Sequence, residues 1–406
     1  MTDKRKVFDG LKVLEFGSGA AGPIATRYLA DHGATVVRIE SRARPDFLRI
    51  YPPHIGDPKD LDGAIFFDVL NCNKLSVTIN LRDPRGGQVA RRLVAWCDLV
   101  TENFSPGNMA KFGLSYEELR TIKPDLIMVS GCLQGQTGPH KDYPGFGGQG
   151  SALSGFNYWA GWPDREPVGP NGTISDTLAP RLMATTILGA LHYRRRTGNG
   201  VHLDLSQVEA CAYTLGWPIL EKTVNDRVRD RLANRSQWAA PHGAFPCQGD
   251  DRWIAIAIHR DDEWEALRRV MGDPEWAAAP ELQTVLGRLR HVVALEERLA
   301  QWTEEHRAEE LMARLQEAGV YAAVIQDIED NFNDPQHRHR GTWSFLTHPV
   351  VGEHPYTNLG FILPKAPRSI EAPGPLLGQH TRMALKEFTG MSDAEITELE
   401  EAGVLR

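Results

Sequence analysis

Several features are scarce in this 406-residue chain. No apolar run approaches the ~20 residues needed to span a bilayer, which excludes a helical membrane protein. The five cysteines (Cys72, Cys97, Cys132, Cys211 and Cys247) are far apart and form no C-x-x-C pair. That excludes a zinc knuckle or a disulfide framework and points to free thiols in a reducing compartment. Positive charge is not in excess, since 45 Lys+Arg against 53 Asp+Glu leave a formal charge of −8. A broad nucleic-acid or anionic-membrane footprint needs clustered positive charge, so both partners are excluded, whereas one small anionic ligand is not. There is no G-x-S-x-G elbow, no G-x-x-x-x-G-K-[ST] phosphate loop, no internal repeat and no low-complexity tract. Nothing marks a metal centre, and His337-Arg338-His339 reads as a solvated basic turn. The charged opening residues run straight into a strand pattern and do not resemble a signal peptide, so a cytoplasmic protein is expected.

What is present is an alternation. Residues 12–16 (KVLEF), 35–40 (TVVRIE), 76–80 (SVTIN), 99–103 (LVTEN) and 126–130 (LIMVS) read as strands buried on both faces. Helix candidates lie between them. Asp83-Pro84 places a cap residue before a first-turn proline, and Ser115-x-x-Glu118 is a capping box. This alternation predicts an α/β fold with a doubly wound parallel sheet. Residues 131–172 are rich in glycine, proline and aromatics and read as a long, packed, functional loop. An apolar helix is expected over 177–195, then a strand over 202–206. Residues 221–240 read as a polar linker or connecting helix. Strands at 253–258 and 321–326 and a helical period over 282–299 suggest a smaller α+β domain. The proline-rich remainder closes on a helix opened by the capping box Ser392-x-x-Glu395. At about 150 residues per domain the length suits two or three domains.

Three local patterns carry possible chemistry. Gly17-Ser18-Gly19-Ala20-Ala21-Gly22 fits G-x-G-x-x-G after a strand, with Glu40 ending the next strand. That pattern could place a pyrophosphate on a helix N-terminus and an acid on a ribose, or it could be a tight strand–helix turn. Pro23 argues against the first reading because it removes one N–H. Asp176 stands where the glycine-rich loop gives way to the apolar helix. It is either an N-cap residue or a carboxylate nucleophile presented at a helix N-terminus. His242-Gly243 lies in a small loop before a strand, where His242 either orders the loop or serves the site.

The order of the motifs resembles the class III coenzyme A transferases, a family that also contains carnitine and bile-acid CoA-transferases and α-methylacyl-CoA racemases. The resemblance is carried by Phe8-Asp9-Gly10-Leu11-Lys12-Val13-Leu14-Glu15 with Ala21-Gly22-Pro23, by Asp31-His32-Gly33-Ala34-Thr35-Val36-Val37-Arg38-Ile39-Glu40, by Asn71-Cys72-Asn73-Lys74 and by Leu81-Arg82-Asp83-Pro84-Arg85-Gly86. It continues in Glu102-Asn103-Phe104-Ser105-Pro106-Gly107, Gly135-Gln136-Thr137-Gly138-Pro139, Arg196-Thr197-Gly198-Asn199-Gly200 and Leu377-Gly378-Gln379-His380-Thr381.

The resemblance implies an enzyme that moves CoA from an acyl-CoA donor, such as succinyl-CoA, to an organic acid. The family's catalytic aspartate falls on Asp176, which would pass through an aspartyl anhydride and an aspartyl-CoA thioester. Positions matching the family's CoA contacts are Ala20, Ala21, Arg42, Ile79, Arg82, Asn103, Phe104, Ser105, Lys111, Lys141 and Tyr143. Arg42, Arg82, Lys111 and Lys141 suit phosphate oxygens. CoA is expected as a substrate, with no tightly bound cofactor and no metal. The family layout implies a large Rossmann-like domain from residues 1–220 and 334–406, a small domain from 221–333, and an interlocked homodimer or a heterodimer with a paralogous subunit. Trp159 and Trp162 beside the expected site point to an aromatic or bulky dicarboxylic acid.

There are departures. Ala20 stands where some members carry glutamine, and Ser41 where arginine is common. No histidine lies in 143–149, where the racemases hold a base, so racemase or isomerase ranks below transferase. A silent CoA-binding subunit of a heteromer is a third reading. The loop Ala240-Pro241-His242-Gly243 is shorter than the polyglycine flap of some members.

Overall fold

The computed structural model describes residues 6–57, 59–169 and 173–406. The chain divides into two compact units. The first comprises the segment up to Tyr158, Gly169–Arg229 and Arg340–Arg406; the second comprises Trp159–Val168 and Asp230–His339. The second unit thus starts later than residue 221 and draws in part of the glycine- and aromatic-rich segment. The reason lies in Gly216–Asn225, which is one helix belonging to the first unit. Its polar second half resembles a linker in sequence. In the structure Arg229 stacks over the Trp217 ring at 4.1 Å and pairs with Glu221.

The first unit is built on six strands: β1 (Lys12–Glu15), β2 (Thr35–Glu40), β3 (Lys74–Thr78), β4 (Leu99–Glu102), β5 (Ile127–Cys132) and β6 (Val201–Ser206). All neighbours pair in parallel, in the order β3-β2-β1-β4-β5-β6. The expected doubly wound parallel sheet is what forms. Alternate residues of each strand enter opposite layers. Leu14, Val37, Val77 and Val100 face a core with helix Pro84–Trp96 and the C-terminal helices Thr381–Thr389 and Asp393–Glu401. Val13, Val36, Leu99 and Ile127 face helices Ala21–Ala30 and Ile174–Thr197.

The outer edge of β3 is not left open. The Ser76 N–H donates to His380 Nδ1 at 3.2 Å and the Thr78 N–H to Thr381 Oγ1 at 3.0 Å. Asn80 N–H donates to the Val404 carbonyl at 2.7 Å. The Leu-Gly-Gln-His-Thr motif therefore seals the sheet edge. An antiparallel hairpin, to be labelled β10 (Trp343–His348) and β11 (Gly352–Thr357) after the strands of the second unit, also belongs to this unit.

The second unit holds an antiparallel sheet of β7 (His242–Pro246), β8 (Trp253–Ala257) and β9 (Tyr321–Ile325). Phe245, Ile254 and Ile256 pack with Trp264, Leu267, Leu299, Leu311 and Leu315 from its helices. The period over 282–299 is split into a turn and two helices, Val285–Arg290 and Val292–Thr303. The break is at His291, whose ring Nδ1 lies 3.0 Å from the Gly287 carbonyl. The long segment after β5 is also less irregular than expected, with short helices at Gly147–Leu153 and Phe156–Trp159. Its last residues, 170–172, lie outside the described residues. No described helix is long and apolar enough to cross a membrane.

Under β1, β2 and β3 sits a cluster of charges away from water. Arg38 pairs with Glu15 and Asp46, and Lys74 Nζ bonds Glu15 at 2.8 Å and Asn71 at 3.0 Å. Arg49 meets Glu40 through two bonds of 2.8 Å and Asp62 through another of 2.8 Å. Burial alone would raise Glu40, yet Arg49 and Arg38 hold it at about 2. Burial likewise opposes ionised Glu15, and Lys74 and Arg38 bring it below the ordinary range. Removing one member of such a set leaves its partners charged and dry, at a cost of about 3–5 kcal/mol. Arg38→Met should therefore lower the urea midpoint by that equivalent; a midpoint matching the parent would contradict the account.

Glu102 contrasts with these. It ends β4, is 4% exposed, and has no salt-bridge partner among the described residues. Burial pushes it up to about 7, against the hydrogen bonds from Ser130 and the Phe104 N–H at 2.8 Å. A carboxyl raised in the fold contributes stability that is complete below its unfolded range and is lost as pH rises through about 7. Glu102→Gln should gain stability relative to the parent between about pH 5 and about pH 8. Urea midpoints across that range test it, and parallel curves would refute it.

Candidate active site

Loops that follow parallel strands gather at one edge of the sheet. The crevice between strands whose connections run in opposite directions is the usual ligand site, and here it lies between β1 and β4. The turn after β1 is Gly17-Ser18-Gly19-Ala20, with Gly17 at φ 116° and Gly19 at φ 80°. A Cβ on Gly17 would overlap the Asn103 side chain. Asn103 holds this turn from the β4 side: its Oδ1 accepts from the Ser18 N–H at 3.0 Å, and its Nδ2 donates to the Ser18 carbonyl at 2.6 Å. The Gly19 N–H donates to the Asp46 carboxylate at 3.1 Å.

These bonds decide between the two readings of the glycine motif. Two amides that would cradle a pyrophosphate already have partners. Glu40, the acid that would meet a ribose, is buried against Arg49 and Ser76. The dinucleotide reading fails, and the motif is a tight turn whose glycines admit Asn103 and the Phe47 ring. Phe47 meets Phe146 edge-on at 5.4 Å, placing two partly exposed aromatic rings over the turn.

The sequence candidates follow the carboxyl ends of successive strands: Ala20 and Ala21 after β1, Arg42 after β2, Ile79 and Arg82 after β3, and Asn103, Phe104, Ser105 and Lys111 after β4. Lys141 and Tyr143 lie in the segment after β5, with Tyr143 and the His140 ring 4.4 Å apart. Arg42, Arg82, Ser105, Lys111, Lys141 and Tyr143 are exposed. Arg42, Arg82, Lys111 and Lys141 form no ion pair among the described residues, so their charge is available to an anion. Three side chains are differently placed from what a ligand contact needs. Ile79 is 1% exposed in the core, which leaves only its backbone at the strand end. Asn103 is committed to the Ser18 backbone. Phe104 packs against the core beside Phe112.

Asp176 is not the N-cap. Thr173 is the N-cap of helix Ile174–Thr197, and Asp176 stands at the third helical position. There its carboxylate is half-buried. Burial raises its pKa; the polar Thr173 and Gln207 side chains oppose the shift and no cation contributes. Pro180 lies four residues on, so the Asp176 carbonyl lacks the amide that a regular helix would supply. Gly147, the first residue of its short helix, presses on the carboxylate so closely that a Cβ would overlap it. The Gly147 carbonyl accepts from Ser175 Oγ at 2.8 Å and from Ser151 Oγ at 2.9 Å, which fixes that glycine. No sequence pattern signalled Gly147, Ser175 or Gln207. Only their placement beside Asp176 identifies them.

The remaining candidates belong to the second unit. His242 opens β7 in the second unit, with Nδ1 2.5 Å from the Asn234 carbonyl, and orders the loop before it. Trp159 and Trp162 belong to the second unit, where Arg231 Nε donates to the Trp162 carbonyl at 3.0 Å. His337 and His339 end a short helix, and no group of metal-ligating side chains occurs among the described residues.

Comparison with known proteins bears on this geometry. A family model described as CoA-transferase family III matches residues 8–381. The chain is 34% identical over 397 residues to the succinyl-CoA–D-citramalate CoA-transferase of Chloroflexus aurantiacus, covering 98% of each. It is 29% identical to the succinate–glutarate CoA-transferase of Agrobacterium fabrum, over 96% of this chain and 97% of that one. The crystal structure of a CaiB/BaiF family protein from Brucella suis superposes with a TM-score of 0.86 at 29% identity, covering 95% of this chain and all of the other. With a matching family model, full-length relatives and a doubly wound sheet carrying a carboxylate at its crevice end, this chain belongs to CoA-transferase family III and is a CoA-transferase.

Proposed function

We propose that this enzyme takes CoA from succinyl-CoA and passes it to a second dicarboxylic acid, with Asp176 as the covalent carrier. The donor and acceptor class follow the relatives, whose names specify succinyl-CoA with citramalate, malate or glutarate. The observation that carries the role of Asp176 is its setting. It is a half-buried carboxylate without a cationic partner, with neutral polar side chains beside it and a glycine behind it. Such a carboxylate keeps its nucleophilicity.

The steps balance without an external acid or base. One Asp176 oxygen attacks the succinyl thioester carbonyl and the C–S bond breaks, giving a mixed anhydride and CoA thiolate. The thiolate attacks the aspartyl carbonyl, releasing succinate and leaving an aspartyl-CoA thioester. The acceptor carboxylate attacks that carbonyl and expels the thiolate. CoA then attacks the acceptor carbonyl, which frees the new acyl-CoA and restores the Asp176 carboxylate. Anhydrides are hydrolysed readily, so the site has to exclude water. CoA phosphates fall to Arg42, Arg82, Lys111 and Lys141, with Tyr143 and Ser105 near them and the backbone of Ala20, Ala21, Ile79, Asn103 and Phe104 along the pantetheine arm. CoA is a substrate in this scheme, and five buried free thiols suit a cytoplasmic, reducing setting.

The working unit is proposed as an interlocked dimer of two copies. Helix Gly216–Asn225 buries none of its residues, while Leu220 is 61% and Val224 75% exposed, beside Tyr213 at 82%. A monomer rarely presents so continuous an apolar face to water. A heterodimer is the second arrangement, because the α and β subunits of a succinyl-CoA–L-malate CoA-transferase are 33% and 32% identical to this chain.

Incubation with succinyl-CoA and hydroxylamine should convert Asp176 to a hydroxamate found by peptide mass spectrometry. Asp176→Ala should lose at least ~10³-fold in kcat. Full activity in that variant, or deuterium exchange at the α-carbon of an acyl-CoA without transfer, would overturn the reading. Light scattering of the purified chain should give twice its 45.2 kDa mass; a stable, active monomer would refute the dimer.

A further inference from the structure

We infer that Phe47 and Phe146 form an aromatic wall across the crevice that keeps water from the acylated Asp176, so that the pair sets the balance between transfer and hydrolysis. The inference rests on Asp176 being the covalent carrier. Both are positioning residues: they take no part in bond making and act on what reaches Asp176.

The two rings are held from opposite sides of the crevice between β1 and β4. Phe47 follows β2 and opens the short turn Phe47–Arg49. Its cap, Asp46, accepts the Leu48 N–H at 2.9 Å and the Gly19 N–H at 3.1 Å, which ties Phe47 to the buried charge cluster. The ring lies so close to the glycine turn that a Cβ on Gly19 would stand 3.0 Å from Phe47 Cε1. Phe146 follows β5 and stands between two glycines that have no room for a side chain. A Cβ on Gly145 would come within 2.7 Å of Leu133 Cδ2, and one on Gly147 would overlap the Asp176 carboxylate. The Phe146 N–H donates to Gln149 Oε1 at 2.9 Å. Its backbone is therefore pinned next to the residue that backs the carboxylate, while its side chain leaves the residue 70% exposed. The rings meet edge-on at 5.4 Å, and neither joins a hydrophobic core among the described residues.

An aromatic ring fixed in place by its backbone and not by burial has a task outside the core. The proposed chemistry supplies one. In the anhydride and in the aspartyl-CoA thioester the Asp176 carbonyl carbon is open to any nucleophile. When water attacks the thioester, the C–S bond breaks, Asp176 returns as a carboxylate, CoA leaves as its thiol and one proton passes to solvent. When water attacks the anhydride, a C–O bond breaks and succinate and the Asp176 carboxylate result. Of the two protons released, one goes to the CoA thiolate and one to solvent. Either route consumes succinyl-CoA and transfers nothing. Two hydrocarbon rings offer water no hydrogen bond, so the approach over the Gly19 turn is closed to it. CoA and the acceptor acid bring their own binding energy to the crevice; water does not.

The test uses the full-length enzyme and succinyl-CoA. Hydrolysis is followed as free CoA thiol released without an acceptor, and transfer as the exchange of labelled succinate into succinyl-CoA. Both rates come from one preparation, so a smaller share of folded enzyme lowers them together and leaves their ratio unchanged. Phe146→Ala and Phe47→Ala should each raise hydrolysis relative to exchange by ~10-fold or more. Because the rings serve one wall, the double variant should stay within ~3-fold of the leakier single one. Phe146→Leu keeps an apolar cover and should hold the ratio within ~3-fold of the parent, whereas Phe146→Gln, which can bond water, should raise it as alanine does. A merely structural role at so exposed a position would not separate leucine from glutamine in this ratio. Parental ratios in both alanine variants, beside an inactive Asp176→Ala enzyme, overturn this inference alone. Equal ratios in the leucine and glutamine variants do the same. An Asp176→Ala enzyme with parental activity removes the carrier reading as well.

Discussion

Arg38 is a guanidinium with no water around it, and the geometry of the crevice edge follows from how its charge is answered. It lies on β2 and reaches Glu15 on β1 and Asp46 beyond the strand. Lys74 of β3 completes the neutralisation of Glu15. The remaining acceptor capacity of Asp46 is met by the amides of Gly19 and Leu48. One buried set of charges thereby ties three strands to the glycine turn. An ion cluster of this kind adds little to stability over a well-packed apolar alternative. What it supplies is a fixed arrangement, because any shift of the turn would strand a charge. The charges also explain how a chain of net −8 builds a dry sheet centre: positive and negative groups are matched locally.

Asp176 lives under the opposite regime. Its carboxylate has hydroxyl and amide neighbours and no cation. A guanidinium there would hold the carboxylate as a stable ion and slow the attack on a thioester proposed for it. The same chain therefore holds carboxylates in two settings: Glu15 and Glu40 as ionised struts, and Asp176, the proposed carrier, with no cation beside it.

The sheet was legible because Val13, Val36, Leu99 and Ile127 alternate with Leu14, Val37 and Val100 in short apolar runs. The buried charges inside those runs were not, since Arg38 and Glu15 are residue types found mostly in water and nothing local marks their burial. The glycine motif was misleading for a physical reason. Left-handed backbone suits both a phosphate and an asparagine side chain, and Asn103 stands 85 residues from Ser18 in sequence. Asp176 came from the order of motifs along the chain; its register one turn inside the helix did not, because Thr173 and Ser175 are equally good cap residues by type. Gly147 and Gln207 were invisible for the same reason as Asn103, since their meaning arises only from contacts across the fold.

The sealed edge of β3 sets a timetable for biosynthesis. Thr78 and Thr381 are 303 residues apart, and Thr78 Oγ1 also donates to the carbonyl of Leu405, 327 residues on. A ribosome that has released the first six strands has released a sheet whose β3 edge is bare. Until the distal segment emerges, that edge is a template for any extended chain nearby. Closure of the large unit thus waits for the distal segment. The nascent enzyme depends on protection of that edge during the interval.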